Sequence, residues 1–347
     1  MSSSKVQTVL GDVSKEELGM VLPHEHLFND LSSEVAPATY PSTRVLAEAK
    51  VAADWQYLLR QDPYSCADNM AEKPVSDVVD EVLAFKRAGG GTVVDATGSA
   101  SIGRNAPKLR DVALHTGLNI VMSAGPYIEK FEKAVLVESS PQAIADGLVK
   151  DLTVGVGSTS IKAGVIGEIG VSPAFTTGEH KSLVAAAIAG RQCPSVGVNV
   201  HMPGWQRRGH EVLDVLINEG NLPPEKVSLA HSDPSGNDPQ YQRSLLDRGV
   251  FLEFDMIGLD ITFPGEGASP SVSETLKAVA GLIRDGYSEQ LLFSHDLFLK
   301  QMWIKNGGNG FAFVPTIFRD SLEYLGISAE EVNKILTDNP ARWLCDN

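Results

Sequence analysis

Four histidines and two carboxylates stand where they could share one task. His24 and His26 close an apolar run, Val21–His26. Glu168 lies near the end of Ala163–Ile169. His201 ends Val196–His201, His231 ends Val227–His231, and Asp296 follows Gln290–His295. Imidazole and carboxylate are ligands for zinc and its divalent neighbours. Singly, each residue has an ordinary explanation. An H-x-H pair can be two hydrogen-bonded or surface histidines, Glu168 half of a buried ion pair, and Asp296 a helix cap. Taken together, independent accidents are a poor account of all six. The set suits two divalent ions about 3.5–4 Å apart, which share a water and lower its pKa toward about 7. Two divalent ions per chain are therefore predicted, zinc first, with manganese, cobalt and iron also compatible. The chemistry would be attack of the metal-bridged hydroxide on a carbonyl or phosphoryl centre, with Asp296 as ligand and proton acceptor.

These six residues meet only if their runs are strands of one barrel. The chain has eight β-branched, apolar runs. Five of them have just been named, and the other three are Thr92–Thr97, Leu118–Gly125 and Val250–Met256. The stretches between them read as helices. Pro74–Ala88 has apolar residues at helical spacing and stops at three glycines. Thr176–Glu179 and Ser328–Glu331 fit capping boxes that open Lys181–Ala189 and Val332–Leu336. Strands alternating with helices predict a parallel sheet, and eight of them an α/β fold of the (β/α)8 TIM-barrel type, with its site at the C-terminal strand ends. An open doubly wound sheet lacks its fingerprint, because no G-x-G-x-x-G follows the first strand. Residues 5–20 suggest a hairpin before the barrel. Residues 27–73 form a long insertion after strand one, with a helix around Arg44–Leu59, and serve either as a lid or pocket wall or as a clamp. One domain, 1–347, accommodates everything.

Composition narrows the class. The chain has 347 residues, 43% of them hydrophobic, and a net charge of −15. That charge argues against a nucleic-acid surface. The three cysteines, Cys66, Cys193 and Cys345, are odd in number and widely spaced, which argues against a disulfide framework or a Cys-rich zinc site. Met1–Lys5 has no apolar core for a secretion signal, and no run is apolar and long enough to cross a bilayer. A cytoplasmic protein acting on a small molecule is expected.

Taken as a whole, the sequence resembles the phosphotriesterase family of the amidohydrolase superfamily, in its phosphotriesterase-related branch. The matching stretches are Thr8–Gly11, His24–Leu27, Lys162–Gly170, His201, His231, Ser294–Asp296 and Gly307–Gly310. The resemblance implies that His24, His26 and Asp296 hold one ion, that His201 and His231 hold the other, and that the fourth strand bridges them. Glu168 would be that bridge, where true phosphotriesterases use a carboxylated lysine. Lys162 lies at the wrong end of its strand. The resemblance therefore implies carbonyl chemistry on an ester, a lactone or an N-acyl (amide) compound. Organophosphate hydrolysis and a non-catalytic ligand-binding barrel are the rivals. It also implies a homodimer, although no interface signature is visible in the residues.

Specificity is expected in the loops after the strands. Trp205 would form an apolar wall. Arg207 or Arg208 either binds an anionic group on the substrate or is a surface residue opening the next helix. Tyr127 either hydrogen-bonds a carbonyl oxygen or packs. Asp233 shares the parity of His231 and either contacts substrate or orients a ligand, or is a turn residue, the reading favoured by its sequence context. His295 has the opposite strand parity to Asp296 and is expected to face the helices.

Overall fold

The computed structural model describes residues 5–263 and 265–345; the polar start at Met1–Ser4 lies outside them. A hairpin, β1 (Lys5–Thr8) and β2 (Gly11–Ser14), precedes the barrel. The barrel strands begin with β3 (Met20–Glu25), β4 (Gly90–Asp95), β5 (Asn119–Ala124) and β6 (Val165–Gly170). They continue with β7 (Gly197–His201), β8 (Val227–Leu229) and β9 (Phe251–Phe254). A small hairpin follows, β10 (Thr262–Phe263) with β11 (Gly267–Ala268), and then the last barrel strand, β12 (Leu291–Phe293). The eight strands form one parallel sheet in sequential order, with helices between them. This is the (β/α)8 TIM barrel expected from the alternation of elements.

Strand periodicity sorts the core into two compartments. Val21, Val94, Val121, Val165, Phe251 and Leu292 fill the lower barrel, together with Val6 and Leu18 from the entry segment and Trp343 and Leu344 from the last helix. Their neighbours Leu22, Val93, Ile120, Ile166, Leu252 and Phe293 belong to the larger core that includes the helices. Period-two alternation separates the sets. The helices follow the local signals. Val75–Arg87 begins after Pro74, and Thr176 and Ser328 cap Thr177–Gln192 and Ala329–Leu336 through capping boxes.

The insertion departs from its expected helix over Arg44–Leu59. Pro41–Glu48 and Ala53–Trp55 are tight helical turns, only Gln56–Leu59 is α-helical, and the backbone at Ala49 and Ala52 is extended. A straight helix could not fold back around the local core of Leu46, Leu58, Leu59 and Cys66. Asp68 holds the break by accepting the Val51 N–H at 2.9 Å. The insertion is both wall and clamp. Leu31, Ala36, Tyr64 and Met70 line the central cavity. Lys73 pins the segment from below, donating to the His26 carbonyl (3.3 Å), the Phe298 carbonyl (2.8 Å) and Asn29 Oδ1. These bonds join the loops after the first and last strands.

The barrel closes between β12 and β3 through polar groups. Asp296 N–H donates to the His24 carbonyl at 3.2 Å, and His24 N–H donates to Ser294 Oγ at 3.1 Å. Glu25, fully buried, accepts from Ser294 Oγ (2.8 Å), His295 N–H (3.0 Å), His295 Nδ1 (2.7 Å) and Leu297 N–H (3.0 Å). His295 Nε2 in turn accepts the Val314 N–H at 2.9 Å, so the ring faces a helix, as its parity suggested. A buried carboxylate with four donors is costly to disturb, because the donors left behind lose partners in a dry interior. Glu25→Gln should cost about 3 kcal/mol in urea unfolding, whereas Glu330→Gln, which breaks an exposed helix pair with Lys334, should cost under about 1 kcal/mol. Equal midpoints for the two variants would show that the barrel closes without this clamp.

Candidate metal centre

Two of the strands carrying the cluster break their alternation just where they reach it. The β3–β4 register shifts between Leu22 and Glu25, and the β6–β7 register shifts between Ile166 and Ile169. A shift by one residue exchanges the faces of the strand. His24 and His26, and on the other strand Glu168, thereby turn toward the barrel axis. His231 and Asp296 lie beyond the ends of β8 and β12 in left-handed conformation, at φ 56° and 55°. Such backbone costs a non-glycine residue about 1–3 kcal/mol and has to be held by its surroundings. At His231 the hold is visible, since its N–H donates to both Asp255 oxygens at 3.0 and 2.9 Å.

The structure brings all six residues together. His26 Nε2 lies 3.1 Å from Asp296 Oδ1 and 3.5 Å from Glu168 Oε1. His24 Nε2 lies 3.7 Å from Glu168 Oε2 and 3.9 Å from Asp296 Oδ1. On the other side, His201 Nδ1 is 3.1 Å from Glu168 Oε2 and 2.8 Å from His231 Nε2. His24, His26 and Glu168 form one group able to hold a metal ion, and Glu168, His201 and His231 form another. Glu168 belongs to both: Oε1 lies toward His26, and Oε2 lies toward His24, His201 and His231.

The donors fit a cation. His24 is fully buried, yet neither of its ring nitrogens finds a hydrogen-bond partner. Buried polar atoms are rarely left in that state. Burial opposes charge on His24, but Asp255, Glu253 and Glu168 outweigh it and raise its pKa to about 10. Burial likewise opposes charge on His231, and Asp255 and Glu168 lift its pKa well above the imidazole range. Glu168 is held well below the usual carboxylate range against its own burial, chiefly by His201. An environment that favours a proton on these rings favours any cation, and a metal replaces the proton.

Several contributors escaped the sequence reading. Asp255 lies beneath both groups, with Oδ1 2.9 Å from His231 Nδ1 and Oδ2 3.6 Å from His24 Nδ1. Outer carboxylates of this kind fix the orientation of metal-binding imidazoles. Thr97 Oγ1 does the same for His26 Nδ1 at 2.9 Å. The signal for Asp255 was present: Glu253 and Asp255 alternate through the apolar run Val250–Met256. Tyr64, from the insertion, carried no comparable signal.

A cavity of about 410 Å³ opens above the cluster. Tyr127 lines it, with its hydroxyl 3.3 Å from His201 Nδ1, and Trp205 forms part of the wall as expected. Arg207 and Arg208 do not reach it. Arg207 stacks over Tyr241 at 5.3 Å and donates to Asn237 Oδ1 at 2.9 Å, while Arg208 pairs with Glu211 at 2.7 Å and donates to the Pro173 carbonyl. Neighbouring side chains and carbonyls take up donors of both guanidinium groups, and neither arginine lines the cavity. Asp233 caps no ligand: it receives the Met256 N–H at 3.1 Å and the Thr275 hydroxyl at 3.2 Å.

A parallel (β/α)8 barrel with histidines and carboxylates gathered at the C-terminal strand ends has the architecture of a metal-assisted hydrolase. The phosphotriesterase family model matches residues 4–344, and the chain belongs to that family and is a hydrolase. It is 34% identical to an N-acetyltaurine hydrolase of Tetraodon nigroviridis, over 99% of this chain and 98% of the relative. Among solved structures, a resiniferatoxin-binding protein from Rhodobacter sphaeroides superposes with TM-score 0.95 at 38% identity, covering 98% of this chain and 95% of its own. The organophosphorus hydrolase of Deinococcus radiodurans gives 0.77 at 26% identity, covering 99% and 97%. Among the described residues, no helix is long and apolar enough to cross a membrane.

Two measurements follow from the electrostatics. Metal binding should displace the His24 and His231 protons, so apparent affinity should tighten as pH rises from about 6 to about 8. Calorimetric titration in two buffers of different ionisation enthalpy would show the release, and heats independent of buffer would contradict it. Asp255→Asn should weaken metal binding by about 10–100-fold. Unchanged affinity would reduce Asp255 to a fold residue.

Proposed function

We propose that the chain is a binuclear metal-dependent hydrolase of small esters, lactones or N-acyl compounds. The observation that carries this reading is Glu168, a buried carboxylate that touches both histidine groups, His26 through Oε1 and His201 through Oε2. His24, His26 and Asp296 would hold one divalent ion, and His201 and His231 the other, with Glu168 between them. Zinc suits these donors, and manganese, cobalt and iron suit them as well. When bound, such a pair supplies an activated water at neutral pH and Lewis-acid polarisation of a carbonyl.

The protein's own groups divide the remaining work. Asp296 lies at the floor of the cavity beside His26, and it takes the proton of the attacking water and returns it to the leaving group. Tyr127 donates to the substrate carbonyl oxygen. Its burial, together with Glu168 and Asp296 nearby, pushes its pKa well up, so the phenol keeps its proton. Trp205 shields the reacting centre from water. A protein carboxylate at the bridge, in place of a carboxylated lysine, favours carbonyl over phosphoryl substrates. The relative named N-acetyltaurine hydrolase, matched along its whole length, supports the same direction.

The test combines metal content with turnover. About two ions per chain are expected, falling in Glu168→Ala and in Asp296→Ala. Asp296→Asn should lower kcat by about 10²–10⁴-fold with a smaller change in KM. Paraoxon turnover above that of matched esters, lactones and amides would transfer the protein to the phosphoryl reading. Absence of metal in folded protein, with none restoring activity, would leave a binding barrel.

A further inference from the structure

We propose that the cavity selects an uncharged substrate with a bulky, flat apolar portion, packed against Trp205, Phe263 and Phe298 and hydrogen-bonded by Tyr64. The inference rests on the hydrolase reading of the cluster and adds the class of substrate. Its first support is size: about 410 Å³ falls in the range of pockets that enclose drug-sized ligands, well beyond an acetyl group on a short chain.

The second support is the wall. Trp205 and Phe263 meet with ring centroids 5.1 Å apart, and Phe263 and Phe298 at 6.2 Å. The three rings come from three different loops and form a continuous aromatic face on the cavity. Rings at these spacings offer faces and edges to a further flat group.

The third support is charge. Away from the metal cluster, the charged residues lining the cavity are Glu34, Lys130 and Glu266. Lys130 is the single lining cation among the described residues, and it is ion-paired with Glu34. Arg207 and Arg208 are committed elsewhere. A carbonyl at the cluster therefore directs the rest of its molecule toward one neutralised pair and one acidic group. An anionic tail gains no unpaired partner there and meets Glu266, so repulsion selects against it. Tyr64 supplies the polar contact instead. It lines the cavity, and its hydroxyl has no hydrogen-bond partner among the described residues. Burial, with Glu266 and Asp296 nearby, raises its pKa, so it stays a neutral donor.

The experiment uses two pairs of acetyl compounds that share a scissile bond: N-acetylphenethylamine with N-acetyltaurine, and phenethyl acetate with sulfoethyl acetate. With the metal-loaded enzyme, the phenethyl member should have the higher kcat/KM by about tenfold or more. Trp205→Ala and Phe263→Ala should narrow that ratio chiefly through KM, and Tyr64→Phe should raise the phenethyl KM. Calorimetric binding of the amide pair reads the cavity independently of turnover. If neither bond is cut but the phenethyl amide binds more tightly, the carbonyl reading fails and the selection stands. A sulfoethyl preference in turnover or binding overturns the selection while leaving the hydrolase intact. A ratio unmoved in both aromatic variants overturns the proposed wall.

Discussion

One buried carboxylate joins the two ends of the barrel sheet, and the cluster depends on that joint. Glu25 stands between two candidate ligands on β3, and every donor it accepts belongs to the segment Ser294–Leu297. Asp296 lies in the middle of that segment. The same bonds that close the barrel therefore set the distance from Asp296 to His24 and His26. His295 extends the hold outward, because its second nitrogen takes a helix N–H. A shift at this seam would move the last carboxylate away from the first two imidazoles. Proximity of this kind cannot come from strand pairing alone, since the regular ladder ends at Phe293, before Asp296.

Convergence on the axis is a series of local departures from regular strand. A fully regular β3 or β6 would leave the candidate ligands on the face opposite to the one they occupy, as the compartments of Val21 and Val165 show. Register shifts correct this on both strands. At the ends of β8 and β12 the left-handed residues do the same work. Each departure carries a conformational cost, which is tolerable because a large two-compartment core holds the rest of the barrel rigid. The strain is concentrated where chemistry needs it.

The scaffold was readable because its signals are local. Alternating apolar runs, a glycine stop after Ala88, and the capping boxes at Thr176 and Ser328 each describe a few consecutive residues, and the structure keeps all of them to within a few positions. The histidines were readable because strand ends converge in a barrel. What was hidden is long-range or conformational. The fates of Arg207 and Arg208 depend on Tyr241, Asn237, Pro173 and Glu211, and residue type alone suggested an anion site. The helix expected over Arg44–Leu59 gave way to a fold-back around Leu46 and Cys66, a tertiary effect that outweighs helical spacing. Tyr64 becomes a cavity residue through the tertiary placement of the insertion, which Lys73 anchors to the loops after the first and last strands.

The cavity and the cluster also obey different electrostatic rules. At the cluster, Glu168, Glu253, Asp255 and Asp296 surround the buried His24, His26 and His231, with His201 more exposed at its edge, and the low dielectric makes that field strong. A cation there meets several carboxylates at once. Farther up, the walls are largely aromatic and aliphatic, with the phenols of Tyr64 and Tyr127, the Lys130–Glu34 pair and Glu266 among them. A substrate thus meets the densest charge beside Glu168 and Asp296, and farther up meets walls that chiefly reward shape. The strands supply the first part, held by the Glu25 seam. The loops supply the second, and they can vary without disturbing the seam because none of its bonds passes through Trp205, Phe263 or Tyr64. A substitution in the aromatic wall can therefore change what the cavity admits while the Glu25 seam keeps Asp296 beside His24 and His26.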